Sequence, residues 1–132
     1  MTAHRRENLG EPLENICRAV KRIVTENPDV QVIYPVHLNP AVRDTVFGIL
    51  AGTERIYLID PVDVEDMHNA MARSYMLLTD SGGLQEEGPH FGLPVLVLRT
   101  ETERPEAVEA GTVAMAGVNE EHIYETASEL LH

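Results

Sequence analysis

Apolar positions along this chain fall into two alternating rhythms. Leu13, Ile16, Cys17, Val20, Ile23 and Val24 step by three, one, three, three and one, which lines them up on one face of a helix. Asn27-Pro28 stops that helix. Residues 30–34 are rich in β-branched side chains and predict a buried strand. Asn39-Pro40 then reads as an N-cap with proline at the first helical position, and Val42, Val46, Ile49 and Leu50 form the apolar face up to Gly52. The rhythm repeats. Residues 55–59 predict a further strand closed by Asp60-Pro61, and Asp63 caps a helix carrying Met67, Ala70 and Met71. The apolar run 75–79 feeds Gly82-Gly83 and the helix formers from Leu84, which Gly88-Pro89 cut short. Strand 94–98, a polar loop to Pro105, a short helix near 106–109 and strand 112–116 follow. Asn119 caps a last helix with Ile123, Ala127, Leu130 and Leu131 on one side and Glu120 and Glu121 in its first turn. Residues 1–3 are too short to declare a strand by themselves, and 4–10 read as a polar loop.

Strands and helices alternate throughout, and the strands are mostly apolar on both faces. This predicts an α/β fold: a Rossmann-like parallel sheet with helices on both faces. Ligands of such sheets sit beyond the carboxyl ends of the strands, where strand order reverses. His4-Arg5, His37, Asp60, Asp80-Ser81 and Arg99 to Arg104 each follow a strand position or the chain start. They are expected to share that edge.

Composition narrows the partners. With 132 residues, 43% of them hydrophobic, the chain is one domain, 1–132, with a real core. Its net charge of −12 argues against nucleic acid and anionic membrane surfaces. The lone cysteine, Cys17, falls among apolar helix positions and reads as a buried small hydrophobe. The six histidines show no metal-ligand spacing, so neither metal nor cofactor is expected. No apolar run reaches membrane-spanning length and Met1 opens no signal-peptide pattern, so a cytoplasmic protein is expected.

The candidate chemistry centres on Thr79-Asp80-Ser81-Gly82-Gly83 and the residues after it. A helix start presents free N–H groups and partial positive charge, and Gly82 and Gly83 let a phosphate approach without meeting a Cβ. Ser81 adds a hydroxyl donor. Glu87, one turn beyond Gly83, is placed to accept bonds from ribose hydroxyls. By itself the stretch is equally compatible with an ordinary strand-to-helix turn. His4, Arg5 and Arg6 put cations beside this edge, or form a solvated basic turn paired with Glu7. His37 is a ligand contact or a loop histidine, and the position of Arg104 after a strand aims it at the ligand edge.

Four motifs, in order and in register, carry a resemblance. They are His4-Arg5-Arg6-Glu7-Asn8, Tyr34-Pro35-Val36-His37-Leu38-Asn39-Pro40, the run from Thr79 to Glu87, and Thr102-Glu103-Arg104-Pro105-Glu106-Ala107-Val108. Together they resemble the carboxyl-terminal half of non-hydrolysing UDP-N-acetylglucosamine 2-epimerases. The resemblance implies one lobe of a GT-B-type two-domain fold. It implies conversion of UDP-GlcNAc to UDP-ManNAc, by elimination of UDP to a bound glycal and its re-addition. It assigns His4 and Arg104 to the catalytic cleft, Ser81 and Gly83 to the diphosphate, and Glu87 to the ribose. Met67 stands where the family commonly has an aromatic residue beside the uracil. Arg5 and His37 match positions that help bind a second, allosteric UDP-GlcNAc in some bacterial members.

The same resemblance places the acid and base carboxylates on an amino-terminal lobe absent from this sequence. The chain is therefore expected to bind UDP and UDP-GlcNAc weakly and to need that lobe, or a homo-oligomer, for activity; the family forms dimers in cell-surface polysaccharide biosynthesis. The residues around Thr2 are expected to form a clipped central strand. Rival readings are the donor-nucleotide lobe of a GT-B glycosyltransferase and a non-catalytic UDP-sugar-binding protein.

Overall fold

A computed structural model describes residues 1–3, 5–81, 93–99 and 113–131. The first long element is helix α1 (Glu11–Glu26), which starts at Gly10 with proline in its first turn and buries Leu13, Ile16, Cys17, Ala19, Val20, Ile23 and Val24. Strand β1 (Val32–Pro35) leads to α2 (Pro40–Leu50), capped as expected by the Asn39 side chain, which accepts from the Ala41 N–H at 2.9 Å. Gly52 ends that turn at φ +78°, a left-handed conformation that costs glycine nothing. Strand β2 (Ile56–Ile59) and helix α3 (Val64–Ala72) follow, and the Asp63 carboxylate accepts from the Asp66 N–H at 2.8 Å. Strands β3 (Leu77–Thr79), β4 (Val95–Val97) and β5 (Val113–Met115) precede helix α4 (Glu120–Leu131), opened by Asn119, whose side chain accepts from the His122 N–H.

Among the described residues all strand pairs are parallel. β1 pairs with β2, and β4 lies between β3 and β5. Residues 1–3 join the two groups. Thr2 bridges to Thr79, its N–H donating to Leu78 O while its carbonyl accepts from the Asp80 N–H. On the other side the Met1 amino group donates to Ile33 O. The order across the sheet is therefore β2, β1, residues 1–3, β3, β4, β5. The segment too short to predict as a strand lies at the centre.

Alternate side chains of β3, β4 and β5 enter different cores. Tyr34, Leu96, Leu98 and Ala116 join α1, α2 and α4 in the larger one. Leu77, Val95 and Val97 pack against Met71 of α3 on the opposite face. Helices thus cover both faces, but not evenly. Ile33, Tyr57 and Ile59 are 51%, 49% and 38% exposed, which corrects the expectation that strands 30–34 and 55–59 are buried on both faces. Their inward partners, Tyr34, Ile56 and Leu58, are the ones under α1 and α2. The polar loop 4–10 also contains a 3-10 turn, Arg6–Asn8. The helices expected from Leu84 and near 106–109 lie outside the described residues.

Candidate functional site

The sheet's carboxyl edge is organised around a carboxylate that the sequence presents as part of a turn. Strand β3 ends at Thr79, and Asp80 follows with no exposure at all. Asp80 Oδ2 accepts the Arg5 backbone N–H at 2.9 Å and Asn8 Nδ2 at 3.0 Å. Asn8, itself buried, also donates to Leu98 O just beyond β4. One side-chain pair therefore ties the loop after the central segment to the ends of β3 and β4. Burying a carboxylate is costly unless donors replace its water, and here two neutral donors share one oxygen.

The turn that follows is pinned locally. The Ser81 N–H donates to Thr79 Oγ1 at 2.9 Å, and the same hydroxyl shares a 2.6 Å hydrogen bond with Thr2 Oγ1. This fixes how the chain leaves β3 before Gly82. Above the loop, Arg5 Nε meets Glu7 Oε1 at 2.6 Å, and an Arg99 guanidinium nitrogen lies 3.9 Å from that oxygen. The Glu7 carboxyl is held below its ordinary value, first by its own backbone N–H and then by Arg5. Two guanidinium groups thus converge on one carboxylate at the strand ends. The arrangement fastens the Arg5 loop to the Asp80-Ser81 turn at the strand ends.

The other expected site residues separate into groups. Arg5, Ser81 and the Asp80 turn come together, as their shared edge requires. His37 is exposed beyond β1, and its Nδ1 accepts from the Asn39 N–H at 3.1 Å within its own loop. Asp60, beyond β2, sits 3.7 Å from an Arg43 guanidinium nitrogen. Met67 is partly buried and packs against the core of Met71, Leu77, Leu93, Val95 and Val97. His4, Gly82, Gly83, Glu87 and Arg104 lie outside the described residues. Among the described residues no cluster of His, Cys, Asp or Glu could hold a metal ion, and no helix is long and apolar enough to cross a membrane.

Sequence reasoning missed Asn8 and Tyr34 and did not foresee that Asp80 is buried. The Tyr34 hydroxyl donates to Ala3 O at 2.6 Å, completely enclosed. A tyrosine among Val and Ile in a strand carries no local sign of that bond. For Asn8 and Asp80, as for Tyr34, the signal was their presence inside three of the quoted motifs.

The sequence profile of UDP-N-acetylglucosamine 2-epimerase matches residues 1–132. A Bacillus subtilis UDP-N-acetylglucosamine 2-epimerase is 59% identical over 131 residues, which is 99% of this chain and 34% of that protein. The Staphylococcus aureus MnaA structure with UDP superposes with a TM-score of 0.96 at 55% identity, over 99% of this chain and 36% of that one. The Neisseria meningitidis UDP-GlcNAc 2-epimerase bound to UDP-GlcNAc gives a TM-score of 0.96 at 43% identity, over 98% and 35%. The chain spans about a third of the length of these relatives. Its α/β, Rossmann-like sheet is the expected lobe of a GT-B-type fold. This chain belongs to the UDP-N-acetylglucosamine 2-epimerase family.

Proposed function

We propose that this chain is the UDP-sugar-binding lobe of a UDP-GlcNAc 2-epimerase. The observation that carries the reading is the buried Asp80 tether, which holds the Arg5 loop against the Asp80-Ser81 turn at the carboxyl edge of a parallel sheet. In this reading the Ser81 hydroxyl and the backbone N–H groups of Gly82 and Gly83 receive the diphosphate, and Glu87 takes the ribose. Met67 lies beside the uracil. By the family resemblance His4 belongs near the diphosphate and Arg104 to the cleft, where negative charge grows as UDP leaves C1 of the sugar. Donors placed for that charge stabilise the departure more than the ground state.

The proton-transferring carboxylates belong, by the family resemblance, to the remaining two-thirds of the relatives' length. The chain alone is therefore a half-site: it binds UDP and UDP-GlcNAc weakly and does not turn over. Activity requires the other lobe, within a dimer in the cytoplasm serving cell-surface polysaccharide synthesis. Arg5 and His37 contribute to a second, regulatory UDP-GlcNAc site. The glycosyltransferase donor lobe would use the same turn, but the match of the whole chain to the epimerase family favours the first reading.

The test is a titration of the isotopically labelled chain with UDP, UDP-GlcNAc, CMP and inorganic phosphate, followed by amide shifts. UDP and UDP-GlcNAc are expected to move residues 79–81 and 5–8 at lower concentration than CMP or phosphate, with no UDP-ManNAc forming. Equal responses to UDP, CMP and phosphate, or measurable epimerisation, would overturn the proposal.

A further inference from the structure

The Ala3 carbonyl and the Arg5 N–H are each held by a buried side chain from a different strand. Ala3 O accepts a 2.6 Å hydrogen bond from the Tyr34 hydroxyl of β1. The Arg5 N–H donates at 2.9 Å to Oδ2 of Asp80, at the end of β3. Both side chains are fully buried. Asn8 donates to the same Asp80 oxygen, so the loop from 5 to 8 is fastened at both ends. Neither group is what packing alone selects. A phenylalanine would fill the space of Tyr34 without an enclosed hydroxyl, and an apolar residue at 80 would spare the desolvation of a carboxylate. A satisfied buried polar pair of this kind instead specifies one backbone path.

We propose that Tyr34 and Asp80 are positioning residues that clamp Ala3 and the Arg5–Asn8 loop against the Asp80-Ser81 turn, fixing the phosphate end of the site. The inference rests on the UDP-binding reading of that turn. A ligand group held by a loop needs its backbone fixed to a fraction of an ångström, because a small misplacement forfeits most of a directional bond. The clamp acts on the phosphate end of the ligand and leaves the uridine end untouched.

The variants are Tyr34→Phe, which removes one oxygen, and Asp80→Ala, which removes the shared acceptor. Each is titrated with UDP and with uridine, and exchange of the Arg5 amide is followed in the free chain. Affinity for UDP is expected to fall about tenfold in Asp80→Ala, the usual worth of a lost charge-assisted bond, and severalfold in Tyr34→Phe. Uridine affinity should change less than about twofold in either. Arg5 amide protection should drop in Asp80→Ala. Should Asp80→Ala fail to fold, Tyr34→Phe carries the same comparison.

Equal losses for UDP and uridine would mean general destabilisation and would overturn the clamp, as would unchanged UDP affinity in a folded variant. If the parent chain does not prefer UDP to phosphate, it is the UDP-binding proposal that fails. Arg5 exchange then decides the clamp alone: faster exchange in Asp80→Ala, with exchange in the helices unchanged, supports it, and unchanged Arg5 exchange refutes it.

Discussion

Cys17 shows how far a single side chain can be read without its neighbours. Its place among apolar helix positions marks it as a buried small hydrophobe, and the thiol is fully enclosed. Burial pushes that thiol from 9.0 up to about 12, and it also raises the Tyr34 phenol. For such groups the folded chain holds its proton longer than the unfolded chain does. Their contribution to stability is complete below pH ~9 and is lost as pH rises toward the folded value. Cys17 should therefore resist a thiol-specific reagent at pH 8 in the folded chain and react fully in denaturing urea. The urea midpoint should fall between pH 9 and 12, and Cys17→Ala should flatten that fall while leaving the tyrosine's share. A thiol that reacts at the same rate in both states would contradict the burial. Asp80 was less legible for a physical reason. Its donors lie 75 and 72 residues away, so nothing local distinguishes a buried acceptor from an acid facing ligand.

Helices declared themselves because their signals are local. Asn39 and Pro40 give both halves of a helix start, and the cap bond to Ala41 is present. Asn39→Ala should destabilise the chain by about 1 kcal/mol, while Asn39→Asp should stay within a few tenths because it keeps the acceptor and complements the helix dipole. Urea unfolding at neutral pH would measure both, and equal losses in the two variants would mean that the cap contributes nothing. Strand faces were less legible than strand positions. Ile33, Tyr57 and Ile59 look like core residues in sequence, yet the larger core takes Tyr34, Ile56 and Leu58. Which face a helix covers depends on strand order, and a pattern two residues in period does not encode that order. The site divided along the same line. The Asp80-Ser81 turn and Arg5 come from adjacent strands and meet at the edge, as parallel topology requires, whereas the placement of Met67 depends on how α3 packs.

The whole molecule depends on its shortest piece. β1–β2 and β3–β4–β5 form separate ladders, and residues 1–3 lie between them. A pattern argument needs several alternating positions, so three residues could not reveal a strand. The central place came from the family resemblance, and the backbone bonds bear it out. Thr2 N–H donates to Leu78 O, its carbonyl accepts from Asp80 N–H, and its hydroxyl meets Thr79. Thr2→Pro would delete the donor and leave Leu78 O without that bond in the middle of the sheet, where proline is not accommodated. The expected loss exceeds ~3 kcal/mol, enough to remove most of the stability of a small domain. Thr2→Val is the control. It keeps both backbone bonds and the side-chain shape and loses one hydroxyl bond, for about 1 kcal/mol. Thr79 Oγ1 would still accept from Ser81 N–H, so the turn itself should survive in that variant. Thermal and urea unfolding followed by circular dichroism would separate the two. A cooperative transition in Thr2→Pro close to that of Thr2→Val would mean that the two ladders hold together without the strand between them.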